Sequence, residues 1–114
     1  RMKSLVEIIE RAVPCPVYAN ETTDRGECMV YDMDTTTFDA AKRNIRMKVN
    51  IYAATMERGV ELESILDEAL VQRDESPLTE TVTGCARNGG GWLKDGDRHV
   101  RIAYYDIVLR RKRS

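Results

Sequence analysis

The sequence predicts an α+β domain, a mostly antiparallel sheet packed with two helices in the order α-(β)-β-β-α-β-β. Three stretches carry that reading. In "NIRMKVNIYA", Ile45, Met47, Val49, Ile51 and Ala53 alternate with Asn44, Arg46, Lys48, Asn50 and Tyr52, the period of a strand with one apolar and one polar face. In "TMERGVELESILDEALVQRD" the period changes, and Leu62, Ile65, Leu66, Ala69 and Leu70 fall on one helical face. In "HVRIAYYDIVLRR" both strand faces are largely apolar, which calls for cover on both sides. At 114 residues the chain reads as one domain, 1–114, with a modest core.

The elements follow in order. "SLVEIIERAV" is a short helix with Leu5, Ile8, Ile9 and Ala12 on one face. Ser4 and Glu7 have the capping-box spacing that satisfies two orphan N–H groups. Pro14 and Pro16 end the helix, and "VYA" after them is a short strand or an extended arm. Residues 20–26, "NETTDRG", are turn chemistry. "ECMVYDMDTTTFD" is a strand with Met29, Tyr31 and Met33 on one face and Cys28, Val30, Asp32 and Asp34 on the other. Thr35 to Thr37 continue it with favourable β chemistry.

Thr55 caps the second helix, with Glu57 near the positive end of its dipole. Gly59 weakens the first turn and moves the expected firm start toward Val60. Glu61, Glu63, Asp67 and Glu68 crowd the face opposite the apolar one and read as solvated; "DESP" at 74–77 ends the helix. "LTETVTGCA" is a weak strand. Asp95-Gly96 is the pair preferred in a tight type I′ hairpin, joining "GWL" to "RHV". Gly89 to Gly91 then form a bulge or a slack approach on the first strand of that hairpin. On the last strand Val100, Ile102, Tyr104 and Val108 share one face, and Ala103, Tyr105, Ile107 and Leu109 the other.

Composition excludes several function classes. A net charge of −1 argues against a bulk nucleic-acid binder. No apolar run approaches the roughly 20 residues of a membrane span, and Glu7 and Glu10 interrupt any secretory leader. Cys15, Cys28 and Cys85 have no CxxC spacing and only one His for company, so they read as reduced thiols used as small hydrophobes. No cofactor motif is present. The "GGG" before Lys94 lacks phosphate-loop spacing, and a strand follows it instead of a helix. A small-molecule or nucleotide site on the Gly89–His99 stretch is the alternative of another class.

The remaining candidates each have a plain reading and a functional one. Trp92 is a hairpin anchor on the sheet or an exposed interface anchor, since Trp is enriched at binding hot spots. His99 with Asp95 or Asp97 has no accompanying nucleophile, so a structural role is the simpler reading. Asp32 and Asp34 share a strand face; they are a solvated edge or weak candidates for a divalent cation. The tail "RRKRS" is a solvated terminus or a contact to a negative partner. These groups assemble no active site, so the chain reads as a binding or assembly module and not an enzyme.

The order of these segments resembles the tail-terminator (tail-completion) proteins of long-tailed bacteriophages and their prophage relatives. The resemblance lies in "SLVEIIERAV", in "CMVYDMD", in "RMKVNIYAAT" running straight into "MERGVELESILDEAL", and in the closing pair "GGGWLKDGDRHVRIAYYDIVL". It implies a hexameric ring, itself the main partner, that caps the tail tube and offers a surface to the head-completion or connector protein. A head–tail joining or minor tail protein is the neighbouring possibility. The resemblance further implies assembly in the host bacterial cytoplasm, a place in the virion tail, and nucleic acid met only as DNA passing through the ring. Arg46, Lys48 and Asn50 are then placed to line a lumen or meet a neighbouring subunit. Trp92, Asp95, Tyr105 and Ile107 are further candidates for a subunit or tube interface.

Overall fold

The computed structural model describes residues 2–38, 42–71, 78–79 and 82–110. The basic tail beyond Arg110 and the "DESP" stop at 74–77 lie outside the described residues. The elements are α1 (Met2–Ala12), β1 (Val17–Ala19), β2 (Cys28–Phe38), β3 (Lys42–Ala53), α2 (Met56–Leu70), β4 (Val82–Asp95) and β5 (Arg98–Arg110). The α+β class and the element order are therefore as the sequence predicts. The five strands lie in the order β1-β2-β3-β5-β4. Three neighbouring pairs are antiparallel, and only β1 runs parallel to its neighbour β2, so the sheet is mixed.

α1 starts at Met2, two residues before the Ser4 cap that the sequence suggests. Met2 and Lys3 are both good helix formers and extend the helix backwards. Leu5, Ile9 and Val13 anchor its buried face. The Val13 N–H still reaches the Ile9 carbonyl at 3.0 Å, and Pro14 prevents continuation. At α2 the Thr55 hydroxyl accepts from Arg58 N at 3.1 Å, the expected N-cap. Gly59 sits inside the helix and not before it. A Cβ there would lie 2.9 Å from Arg101 Cγ, so the glycine admits the close passage of that side chain.

Both helices cover one face of the sheet, called here the inner face. Leu5, Ile9, Leu62, Leu66 and Leu70 pack there onto Met29, Met47, Val49, Ile51, Ala103, Tyr105 and Ile107. The alternation read from β3 holds: Ile45, Met47, Val49, Ile51 and Ala53 are all buried. On the outer face a smaller set, Cys28, Val30 and Val100, is also buried. It lies near the end where the 20–27 connection is fastened. Arg98 donates to the carbonyls of Asp24 (3.2 Å) and Gly26 (3.1 Å), and its guanidinium stacks 4.3 Å from the Tyr52 ring centroid. Asp24 organises the same connection, accepting from Gly26 N (2.8 Å) and the Tyr18 hydroxyl (2.7 Å), which lower its pKa.

The β4–β5 hairpin differs from expectation by one residue. Asp95 pairs with Arg98, so the central residues are Gly96 and Asp97. Only Gly96 of the two has a positive φ, +63°, the type II′ arrangement instead of type I′. The Arg98–Asp95 ion pair at 2.9 Å closes this register.

The thiols give the fold a predictable alkaline limit. Burial, helped by Asp106 and Asp67, pushes Cys85 up to about 12, and burial first of all pushes Cys15 up to about 11. An unfolded thiol titrates near 8.5. The folded state thus keeps protons that the unfolded chain loses, and stability is complete below about pH 8.5 and declines as pH rises toward those folded values. The urea midpoint should fall between pH 8.5 and 10.5. Cys85→Ala should flatten that slope by up to about 1.4 kcal/mol per pH unit.

Candidate functional site

On the outer face, β2, β3 and β5 set charged residues side by side. Asp32 lies directly across from Lys48, and Asp34 from Arg46. On the other flank Lys48 lies across from Tyr104, and Arg46 from Asp106. These strands and Asn20 line a groove of about 510 Å³ that includes Asp32, Asp34, Arg46, Lys48 and Tyr104. The Arg46 guanidinium stacks 4.8 Å from the Tyr104 centroid. Asp106 instead accepts from Asn88 Nδ2 at 2.7 Å. The structure thus brings four of the sequence-predicted residues, Asp32, Asp34, Arg46 and Lys48, into one site. Asn50 stands one row away, half-buried between Val30 and Ile102. Among the described residues no three His, Cys, Asp or Glu side chains converge as a metal site.

The second surface is the β4 edge. "TGCA" and "GWL" belong to one continuous strand, and residues 88–94 are all exposed. The register breaks between Arg87 and Gly90, and Gly89 there has φ +92°, a bulge where the sequence suggests one. Gly90 is a different case. A Cβ on it would meet the Ile102 carbonyl oxygen and Arg87 Nη2, each at 2.5 Å, whereas one on Gly91 would meet nothing within 4 Å. Gly90→Ala should therefore cost about 2–3 kcal/mol, and Gly91→Ala should be neutral or stabilising by up to about 1 kcal/mol. Chemical denaturation of the two variants checks the contrast. Trp92 is 47% exposed, with Leu93 (43%) beside it, so it is not a core residue of the single chain. Its ring lies 6.2 Å from that of His99. Arg87, Gly89 to Gly91, Trp92 and Arg101 line an open groove of about 490 Å³ along this edge.

Two interface candidates move. Tyr105 and Ile107 are fully buried within this chain, because their face of β5 is the one under α2. They are core residues. Asp95 is held by Arg98 at the hairpin tip.

The sequence reading missed the ionic network behind the edge. Glu63, expected on a solvated helix face, is 8% exposed. It accepts from Arg87 Nη2 and from Arg101 Nε, the latter at 2.7 Å. Asp67 accepts from Arg87 Nη1 at 2.9 and 3.0 Å and from the Tyr105 hydroxyl. Burial and Asp67 together raise the Tyr105 pKa. The signal was available: Arg101 interrupts an otherwise apolar inner row, and Glu63 and Asp67 stand one helical turn apart.

Among the described residues, fold and surfaces together define a two-layer α+β domain with one helix-covered face, one charged face and one long edge strand, β4. No family model matches the sequence, and no curated protein matches it. Among the described residues no helix is long and apolar enough to cross a membrane.

Proposed function

We propose that the chain is a non-enzymatic assembly protein of the tail-completion type, a self-associating ring subunit that caps a phage tail tube and presents a docking surface to the head connector. The observation that carries this reading is the β4 edge, fourteen residues long and exposed over residues 88–94, with Trp92 and Leu93 uncovered beside it. A long uncovered edge strand is a template for pairing with another chain. The order of segments that the resemblance rests on supports the same reading. Its partners are further copies of itself, the tail tube protein and the head-completion protein, in the host cytoplasm and then in the virion tail. The charged outer face, with Arg46, Lys48 and Asn50, is then a lumen lining past which DNA moves. A phosphate-binding loop at Gly89–His99 is supported less, because Gly89 to Gly91 lie within β4 and β5 follows the turn.

Light scattering on the eluting protein tests self-association. The expected mass is well above 13.0 kDa, alone or once tail tubes are added. Trp92→Ala should leave the melting temperature within about 2 °C, since the side chain is half exposed, and should reduce assembly. Loss of folding in that variant would place Trp92 in the core instead.

A further inference from the structure

We infer that Arg87 is the positioning residue of the β4 edge: its guanidinium, anchored on α2, holds the Gly89 bulge in one shape and so fixes the course on which residues 90–94 are offered to a partner chain. This rests on the reading of the chain as an assembly protein and names what shapes its contact edge.

The edge needs such a hold. Three consecutive glycines, Gly89 to Gly91, lead to Trp92, and glycine has the widest backbone freedom of any residue. Gly89 has φ +92°, and the space beside both Gly89 and Gly91 is open. β4 also carries one residue more than β5 here. Arg87 pairs with Tyr105 and Gly90 with Ala103, which leaves two residues of β4 opposite Tyr104. The shape of such a bulge decides where the strand beyond it is aimed.

All three nitrogens of the Arg87 side chain are committed to that shape. Nη1 donates to both oxygens of Asp67, at 3.0 and 2.9 Å, and Nη2 donates to Glu63. Nε donates at 2.8 Å to the carbonyl of Gly89, the bulge residue itself. One planar fork thus ties two α2 carboxylates to the bulge. It passes so close to Gly90 that a Cβ there would lie 2.5 Å from Nη2. Asn88 pins the bulge from the other side. Its Nδ2 donates at 2.7 Å to Asp106 on the outer face, whereas Arg87 reaches α2 on the inner one. Consecutive residues are therefore fastened to opposite faces of the sheet. Beyond them, among the described residues, the next side-chain hydrogen bond on β4 is the one Asp95 accepts from Arg98.

This order matters to a contact. A slack strand loses its conformational freedom when a partner pairs with it, and that loss weakens the contact. Arg87 makes the ordering part of folding. Charge balance alone would not require the fork, since a lysine is also a cation for Glu63 and Asp67.

Hydrogen–deuterium exchange of the full chain reads the positioning directly. Arg87→Lys keeps the charge but cannot serve Glu63, Asp67 and Gly89 at once. The protected amides of residues 87–92 should exchange about tenfold faster, over and above any change in β3, whereas a merely structural residue would quicken both strands alike. Deleting Gly89 leaves Asn88 alone opposite Tyr104 and restores a regular ladder. In that background Arg87→Lys should add no local exchange, the mark of a residue that acts through the bulge. Light scattering of Arg87→Lys should show self-association weakened by about tenfold. Exchange across 87–92 that merely follows β3 overturns the positioning role, and it does so even if the deletion variant does not fold. A lysine effect that persists without Gly89 overturns it too, as does faster local exchange with association unchanged. Faster local exchange with no association in either wild type or variant keeps the clamp and overturns the assembly reading instead.

Discussion

Replacing Tyr105 with Ala is expected to cost about 3–5 kcal/mol of folding stability, the range for deleting a buried aromatic ring. The ring is fully buried under α2, and its hydroxyl donates to Asp67. Tyr105→Phe keeps the packing and loses that one hydrogen bond to a charged acceptor, so about 1–2 kcal/mol is expected. Urea denaturation at low protein concentration separates this account from an interface role. A residue that served only a subunit contact would leave the stability of the single chain unchanged.

The second large effect is at Glu63. Glu63→Ala removes the carboxylate shared by Arg87 and Arg101 and leaves two cations facing each other behind the β4 edge. Breaking a fully buried ion pair costs about 3–5 kcal/mol. Here both arginine side chains remain 26% exposed, so water recovers part of that and about 2–3 kcal/mol is expected. Glu63→Gln keeps an acceptor and should cost less. If Glu63 were instead a solvated helix residue, the alanine variant would change stability by less than about 0.5 kcal/mol.

These two residues also mark where the sequence was legible. The strand period of β3, the helical period of α2 and the Thr55 cap are local patterns, and each appears in the structure where the sequence puts it. Glu63 and Asp67 share the helix face turned from its leucines, yet they meet arginines 20 to 38 residues later in the chain. Helical spacing shows that the two carboxylates share a face, but not which distant residues meet that face. Tyr104 and Tyr105 were rightly assigned to opposite faces of β5, but which face α2 covers is decided by packing and not by alternation. The hairpin slipped by one residue for a related reason. Asp95-Gly96 and Gly96-Asp97 are both acceptable turn pairs, and the register of the whole β4–β5 ladder with its Asp95–Arg98 bridge selects the second.

The candidate site was legible in the same proportion. Asp32, Asp34, Arg46 and Lys48 were visible as polar strand faces, and the structure adds that two strands place them in one groove. The triple glycine was visible as an anomaly. Only the structure separates its members into a bulge at Gly89, a steric necessity at Gly90 and an open position at Gly91.

The central claim is that this chain acts by joining other protein surfaces in tail assembly. It is tested most directly by adding the purified protein to a polymerising phage tail tube protein and reading tube lengths by electron microscopy. The account predicts shorter tubes with added density at one end, and a weaker effect for Trp92→Ala. Unaltered tube lengths, with none of this chain sedimenting alongside the tubes, would contradict it.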